Sequence, residues 1–139
     1  MRKLAFGFAA LLASTAFAQS FPARPVHIVV AFPPGGGTDI VARLLAPRLA
    51  DAWGQQVIVD NRAGASGVIG TEFAARSAAD GTTLFLGTLG NLAVNQHLYP
   101  KMTVDPLRDF APVTQVVAVH FVMVANPSLP ARNIGELIA

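Results

Sequence analysis

The sequence contains no cysteine. That excludes disulfides, thiolate metal ligands, a cysteine nucleophile and a lipid-modified cysteine after an export signal. Charged residues are also scarce, at 13% of the 139 residues. The three histidines, His27, His97 and His120, show no metal-ligand spacing and read as core or surface residues. No internal repeat and no low-complexity linker interrupts the chain.

The first residues indicate a compartment. Arg2 and Lys3 precede an apolar run from Leu4 to Leu12, and Ala16-Phe17-Ala18 fits an A-x-A cleavage site. The apolar run is too short to cross about 30 Å of hydrocarbon, and no later run of roughly 18 apolar residues follows. A signal peptide over residues 1–18, export to the periplasm and a freely soluble mature chain beginning near Gln19 are therefore expected. Losing Arg2 and Lys3 leaves eight basic against eight acidic residues, so the formal +2 charge vanishes. With it goes any basic patch for nucleic acid or anionic lipid.

The remaining pattern alternates. Pro25 to Phe32 is a continuous apolar run, the signature of a strand buried on both faces. Pro33 to Gly37 must turn. Ile40, Val41, Leu44, Leu45 and Leu49 then mark the inward face of a helix, with Asp39, Arg43 and Asp51 outward, and Pro47 should kink or shorten it. Gln56 to Asp60 reads as a second strand and Val68 to Ala79 as a second helix with Ile69, Phe73 and Ala74 inward. Thr83 to Gly87 reads as a third strand and Leu92 to Leu98 as a short helix. This β-α-β-α-β-α order predicts an α/β fold with a mostly parallel sheet and right-handed crossovers. Val104 to Phe110 predicts a helical turn in a connector. Val113 to Val119 and Phe121 to Ala125 are strand-like and read as a crossover out of the first lobe. Asn133 and Glu136 form a capping-box pair opening a helix that the chain leaves after less than two turns, which suggests a piece of a longer protein.

Chemistry concentrates in three βα loops: Pro33 to Asp39, Ala63 to Gly67 and Gly87 to Asn91. In a parallel sheet such loops lie at the carboxyl ends of the strands, where ligands bind. Each precedes a helix, whose first N–H groups and positive dipole end attract an anion. Short glycine loops also serve simply to turn the chain and start a helix. The only basic side chain in the first two loops is Arg62, at the edge of one, so an anion would be held mainly by backbone donors and hydroxyls. A dinucleotide site fits poorly: Gly35-Gly36-Gly37 and Asp60 suit it, but Ile40 replaces the third glycine and no Walker lysine follows. Gly64-Ala65-Ser66-Gly67-Val68 is not a G-x-S-x-G elbow, because its second glycine comes one residue early. No catalytic residue, metal or cofactor is expected.

Three segments, Phe32 to Arg43, Val59 to Thr71 and Asp105 to Val113, strongly resemble the Bug proteins, uptake receptors of tripartite tricarboxylate transporters. The similarity runs over nearly all of residues 21–139. It implies a periplasmic binding protein-like fold of type II, with two lobes closing on a ligand and the second lobe truncated here. Residues 19–112 would form the incomplete first lobe and 113–139 the crossover and the start of the second. The resemblance also implies that the first loop holds a ligand carboxylate, partly through bridging waters. That places Phe32, Pro34, Gly36, Gly37, Thr38 and Asp39 at or beside the site, with Ala65, Ser66, Gly67, Thr88 and Asn91 as its other walls. Where the family often has a histidine in the third loop region, this chain has Leu92.

The expected function is capture of a small organic acid by a monomeric receptor for integral-membrane transporter subunits, with no nucleic acid partner. A periplasmic sensor with a signalling partner would use the same fold, and an exported α/β enzyme is the remaining alternative. Family members run to roughly twice this length, so the 19–139 piece alone should be poorly stable and bind weakly or not at all.

Overall fold

The computed structural model describes residues 21–120 and 122–138. The expected signal peptide over residues 1–18 lies outside them. Three parallel strands form one sheet in the order β2-β1-β3: β1 is Val26–Val30, β2 is Val57–Asn61 and β3 is Thr83–Phe85. Val26 pairs with Val57 and Val30 with Asn61 on one side, and His27 pairs with Thr83 on the other. β1 is central. Its apolar residues Val26, Ile28, Val29 and Val30 are buried, as expected of a strand covered on both faces. Every residue of β2 and β3 stays half-buried, because each is an edge.

The first helix, α1, spans Gly37–Trp53 and ends on Gly54, whose left-handed backbone closes the C-terminus. Its inward face differs in part from the sequence expectation. Asp39, Ala42 and Ala46 are buried, whereas Ile40 and Leu44 are 52% and 65% exposed. Small alanines let the helix lie close on Ile28 and Val30, and Leu49 completes that contact. Asp39, expected outward, is drawn in by the polar partners described below. Pro47 neither breaks nor shortens the helix. Its missing N–H would have bonded the carbonyl of exposed Arg43, which water can satisfy.

The second helix, α2, covers Val68–Ala75, shorter than predicted. Ala74 is buried as expected, but Ile69 and Phe73 are exposed, and Gly70 and Thr71 face inward instead. The cause is close approach. A methyl group on Gly70 would lie 2.7 Å from Ala31 Cα and 2.7 Å from the Arg62 carbonyl oxygen, so only glycine brings α2 this near β1. A π-helical turn, Gly90–Val94, runs into α3, Asn95–Leu98. Then α4, Pro106–Asp109, starts on Asp105, whose carboxylate accepts the Leu107 N–H at 3.0 Å.

The connector is tied back to the sheet layer. Glu72 accepts hydrogen bonds from the Thr103 N–H and hydroxyl, and Phe110 stacks on Phe85 at 5.2 Å. Beyond it, the runs expected as strands form no ladder among the described residues. Residues 113–120 and 122–125 are exposed and unpaired, and a strand exists only with a partner. The last helix, α5, is Ile134–Ile138. Asn133 caps it by accepting the Glu136 N–H at 3.0 Å. Glu136 reaches one residue further back than a standard capping box, to the Arg132 N–H at 2.7 Å.

Candidate functional site

All three glycine-bearing loops emerge at the carboxyl edge of the sheet, as the strand order requires. Phe32, Pro33, Pro34, Gly36, Gly37 and Thr38 of the first loop and Thr88 of the third surround a cleft of about 430 Å³. None of these lining residues is charged. The wall is apolar at Phe32 and the two prolines. Its polar groups are threonine hydroxyls and the first N–H groups of α1. Gly36 caps that helix without any side-chain hydrogen bond, so no side chain covers the leading N–H groups. A 17-residue helix presents its positive end here.

Asp39 stands behind the cleft and not on its wall. It is 2% exposed. One carboxylate oxygen accepts the Gly35 N–H at 2.8 Å and Arg43 Nε at 2.9 Å; the other accepts Asn61 Nδ2 at 2.9 Å. Asn61 Nδ2 also donates to the Phe32 carbonyl, and Arg43 donates to Asn61 Oδ1. Every partner favours the ionised carboxylate. The Arg43 hydrogen bond, then the Gly35 N–H and Asn61, hold Asp39 far below the usual carboxylate range despite its burial. In turn, Asp39 raises the guanidinium of Arg43 above its ordinary value. This network fixes both ends of the first loop, Phe32 and Gly35, to β2 and α1.

The second loop is wound unusually. Ala65, Ser66 and Gly67 all have positive φ, at 47°, 53° and 93°. For Ala65 and Ser66 this is a strained choice. Gly67 could not be another residue, since a methyl group there would collide with the Asn91 side chain and crowd Ala31. The Gly67 carbonyl accepts the buried Thr71 hydroxyl at 2.8 Å. Ala65 and Ser66 are exposed and do not line the cleft, so the structure groups them beside it.

Asn91 joins the second and third loops. It is fully buried. Its Oδ1 accepts the Thr88 N–H at 3.2 Å and the Thr88 hydroxyl at 2.9 Å, and the backbone donor fixes which end of the amide is oxygen. Its Nδ2, turned toward Gly67, has no hydrogen-bond partner among the described residues. Thr88 therefore reaches the cleft on a backbone that Asn91 holds.

Arg62, the basic residue beside the second loop, is engaged elsewhere. It grips Asp60 through two nitrogens and lies 4.1 Å over the Phe73 ring. Sequence reasoning missed two residues that fix the first loop from behind: Arg43 and Asn61. Arg43 stands four residues after Asp39, the spacing of a helical ion pair, and was legible. Asn61 required knowing the strand register. No group of His, Asp or Glu able to hold a metal occurs among the described residues, and no helix among them is long and apolar enough to cross a membrane.

Comparison with known proteins gives the family. Residues 41–139 match the family model described as the tripartite tricarboxylate transporter family receptor. The chain is 48% identical to the protein BugT of Bordetella pertussis over 92% of its own length and 40% of BugT. It is 38% identical to a protein from the tcbD-tcbE intergenic region of Pseudomonas sp. strain P51, over 86% of its own length and 35% of that relative. Among solved structures, it resembles MatC of Rhodopseudomonas palustris with bound malate, at 42% identity and a TM-score of 0.64, covering 67% of this chain and 32% of MatC. It also resembles Rpa4515 of R. palustris with adipate, at 39% identity and a TM-score of 0.65, covering 85% of this chain and 40% of that one. The chain thus spans about a third to two fifths of the length of the relatives it matches. Matched by the family model over most of its length, and carrying the three loops at one sheet edge, this chain belongs to the receptor family of the tripartite tricarboxylate transporters.

Proposed function

We propose that this chain is the loop-bearing part of a periplasmic receptor that captures a small organic carboxylate and delivers it to integral-membrane transporter subunits. It acts as a binding protein and not as an enzyme. The observation that carries this reading is the uncharged cleft at the uncapped end of α1, where Gly36, Gly37 and Thr38 meet Thr88. An anion there meets the leading backbone N–H groups of α1, its helix dipole and the Thr38 hydroxyl, all held in place before it arrives. No fixed cation neutralises it, so the site suits a reversible ligand that must later be released.

In this reading Phe32, Pro34, Gly36, Gly37, Thr38 and Thr88 touch the acid. Asp39 and Asn91 hold those residues from behind, and Ala65, Ser66 and Gly67 form the adjoining wall. The malate and adipate bound by the two similar R. palustris proteins support a dicarboxylate as ligand. In this reading residues 19–112 belong to an incomplete first lobe and residues 113–139 to the crossover and the start of the second. The exposed, unpaired backbone of residues 113–120 supports that division, since its β-branched residues suit a strand awaiting a partner. The test is a thermal-shift screen of small carboxylates on the complete gene product. Stabilisation by malate, adipate or a related acid is expected. Stabilisation by a neutral solute and by no organic acid would overturn the carboxylate reading.

A further inference from the structure

After the third loop, the π-helical turn carries Asn91, α3 begins with Asn95, and Tyr99 follows just past the end of α3, each four residues after the last. All three turn toward the second loop. Asn95 is 4% exposed, and its Nδ2 donates to the Ser66 carbonyl at 3.0 Å. The Tyr99 hydroxyl donates to Ser66 Oγ at 2.8 Å. Ser66 is thus held from both its backbone and its side chain, and it is a residue with φ of 53°. An L-residue other than glycine, asparagine or aspartate seldom stays in that region unless its surroundings impose it.

We infer that Asn95 and Tyr99 are positioning residues that hold Ser66 in its left-handed conformation and so set the shape of the second wall of the acid site. The inference rests on reading these loops as a ligand site. The arrangement has a physical logic. Asn91 fixes Thr88 in the third loop, and Asn95, one turn on, fixes Ser66 in the second. One helix face therefore sets the distance between two walls. The π-helical turn at Gly90–Val94 is where this face begins, and such turns are costly features that persist where side chains must be re-aimed. Neither asparagine need touch the ligand.

The inference predicts coupling between positions 95 and 66. Asn95→Ala frees the Ser66 carbonyl, and Ser66 relaxes toward negative φ. Glycine at position 66 tolerates positive φ without an anchor. Amide hydrogen exchange reads this without any ligand, because the Gly67 N–H closes the turn on the Gly64 carbonyl at 2.9 Å. In Asn95→Ala, exchange at Gly67 should accelerate about tenfold or more beyond any global loss of protection. In a Ser66→Gly background, the same change should accelerate it about threefold at most. If Asn95→Ala does not fold, Tyr99→Phe, which removes only the hydroxyl contact, takes its place with the same expected pattern. Equal acceleration in both backgrounds, or none in either, overturns the inference. Malate and adipate titrations of the same variants of the complete gene product form a second arm. Binding should weaken in Asn95→Ala and weaken much less when Ser66 is already glycine. Wild type that binds no organic acid refutes the carboxylate reading, while the exchange result still decides the role of Asn95.

Discussion

Asp39 accepts the N–H of Gly35, four residues before it, at 2.8 Å. A carboxylate at a helix start usually answers the helix's own N–H groups; this one reaches back and pins the loop. The first wall of the cleft is consequently held by a buried anion that does not itself enter the cleft. Asp39→Asn keeps the shape but removes the charge that Arg43 and Gly35 address. Melting temperature should fall, and acid binding should weaken about tenfold because the loop loses its fixed conformation. Binding that tightens in Asp39→Asn would show instead that the carboxylate repels the ligand directly.

The same network sets a pH dependence. Asp39 is held far below its ordinary value, chiefly by Arg43. Asp80 is lowered from 3.8 to about 2, chiefly by the Thr82 hydroxyl and N–H, and Glu72 is lowered by Thr103. Groups depressed in the folded state bind fewer protons there than in the unfolded chain. Their stabilisation is full above the unfolded value, near pH 4, and is lost as pH falls through the folded values. Thermal melts should therefore be flat from about pH 5 to 7 and fall steadily below about pH 4. Asp39→Asn should flatten part of that fall, and an unchanged slope would remove Asp39 from the account.

Gly37 separates binding from folding. It lines the cleft, and a methyl group there meets nothing within 4 Å. Gly37→Ala, at the first position of α1, should leave stability unchanged or raise it by about 0.5–1 kcal/mol. Acid affinity should drop, because the added methyl intrudes beside the N–H groups that hold the ligand. Calorimetric titration alongside a denaturant melt reads both effects.

Gly70 behaves oppositely. Gly70→Ala forces its methyl against Ala31 and Arg62, which are backbone and cannot swing aside. A loss of about 1–3 kcal/mol in denaturant stability is expected, from overpacking between α2 and β1. By contrast, Leu44→Gln on the exposed face of α1 should stay within about 0.5 kcal/mol of wild type.

The architecture was largely legible in the residues. The apolar run before Pro33 and the short run at Val57 to Val59 predict parallel strands, and both are strands of one parallel sheet. The faces of the helices were legible only in part, at Leu49 and Ala74. Hydrophobic periodicity points to Ile40, Leu44, Ile69 and Phe73, yet close packing on the sheet selects the small residues Ala42, Ala46 and Gly70 instead. Periodicity also cannot foresee that Asp39 would be buried, because its partners Asn61 and Phe32 come from elsewhere in the chain. Likewise, the β-branched runs after Pro112 predict strands, but strand-like sequence becomes a strand only beside another. For the site, the loops that meet at Phe32, Gly37 and Thr88 could be read directly. The supports at Asn61, Asn95 and Tyr99 depend on which elements become neighbours.

The central claim is that backbone N–H groups at the start of α1 grip a carboxylate. Amide chemical shifts of the complete gene product, followed as malate or adipate is added, test it most directly. Saturable shifts at Gly36, Gly37, Thr38 and Thr88, unaffected at the distant Gly54, are predicted. Shifts absent from those amides while the acid still binds, or the same shifts produced by a neutral analogue lacking the carboxylates, would contradict it.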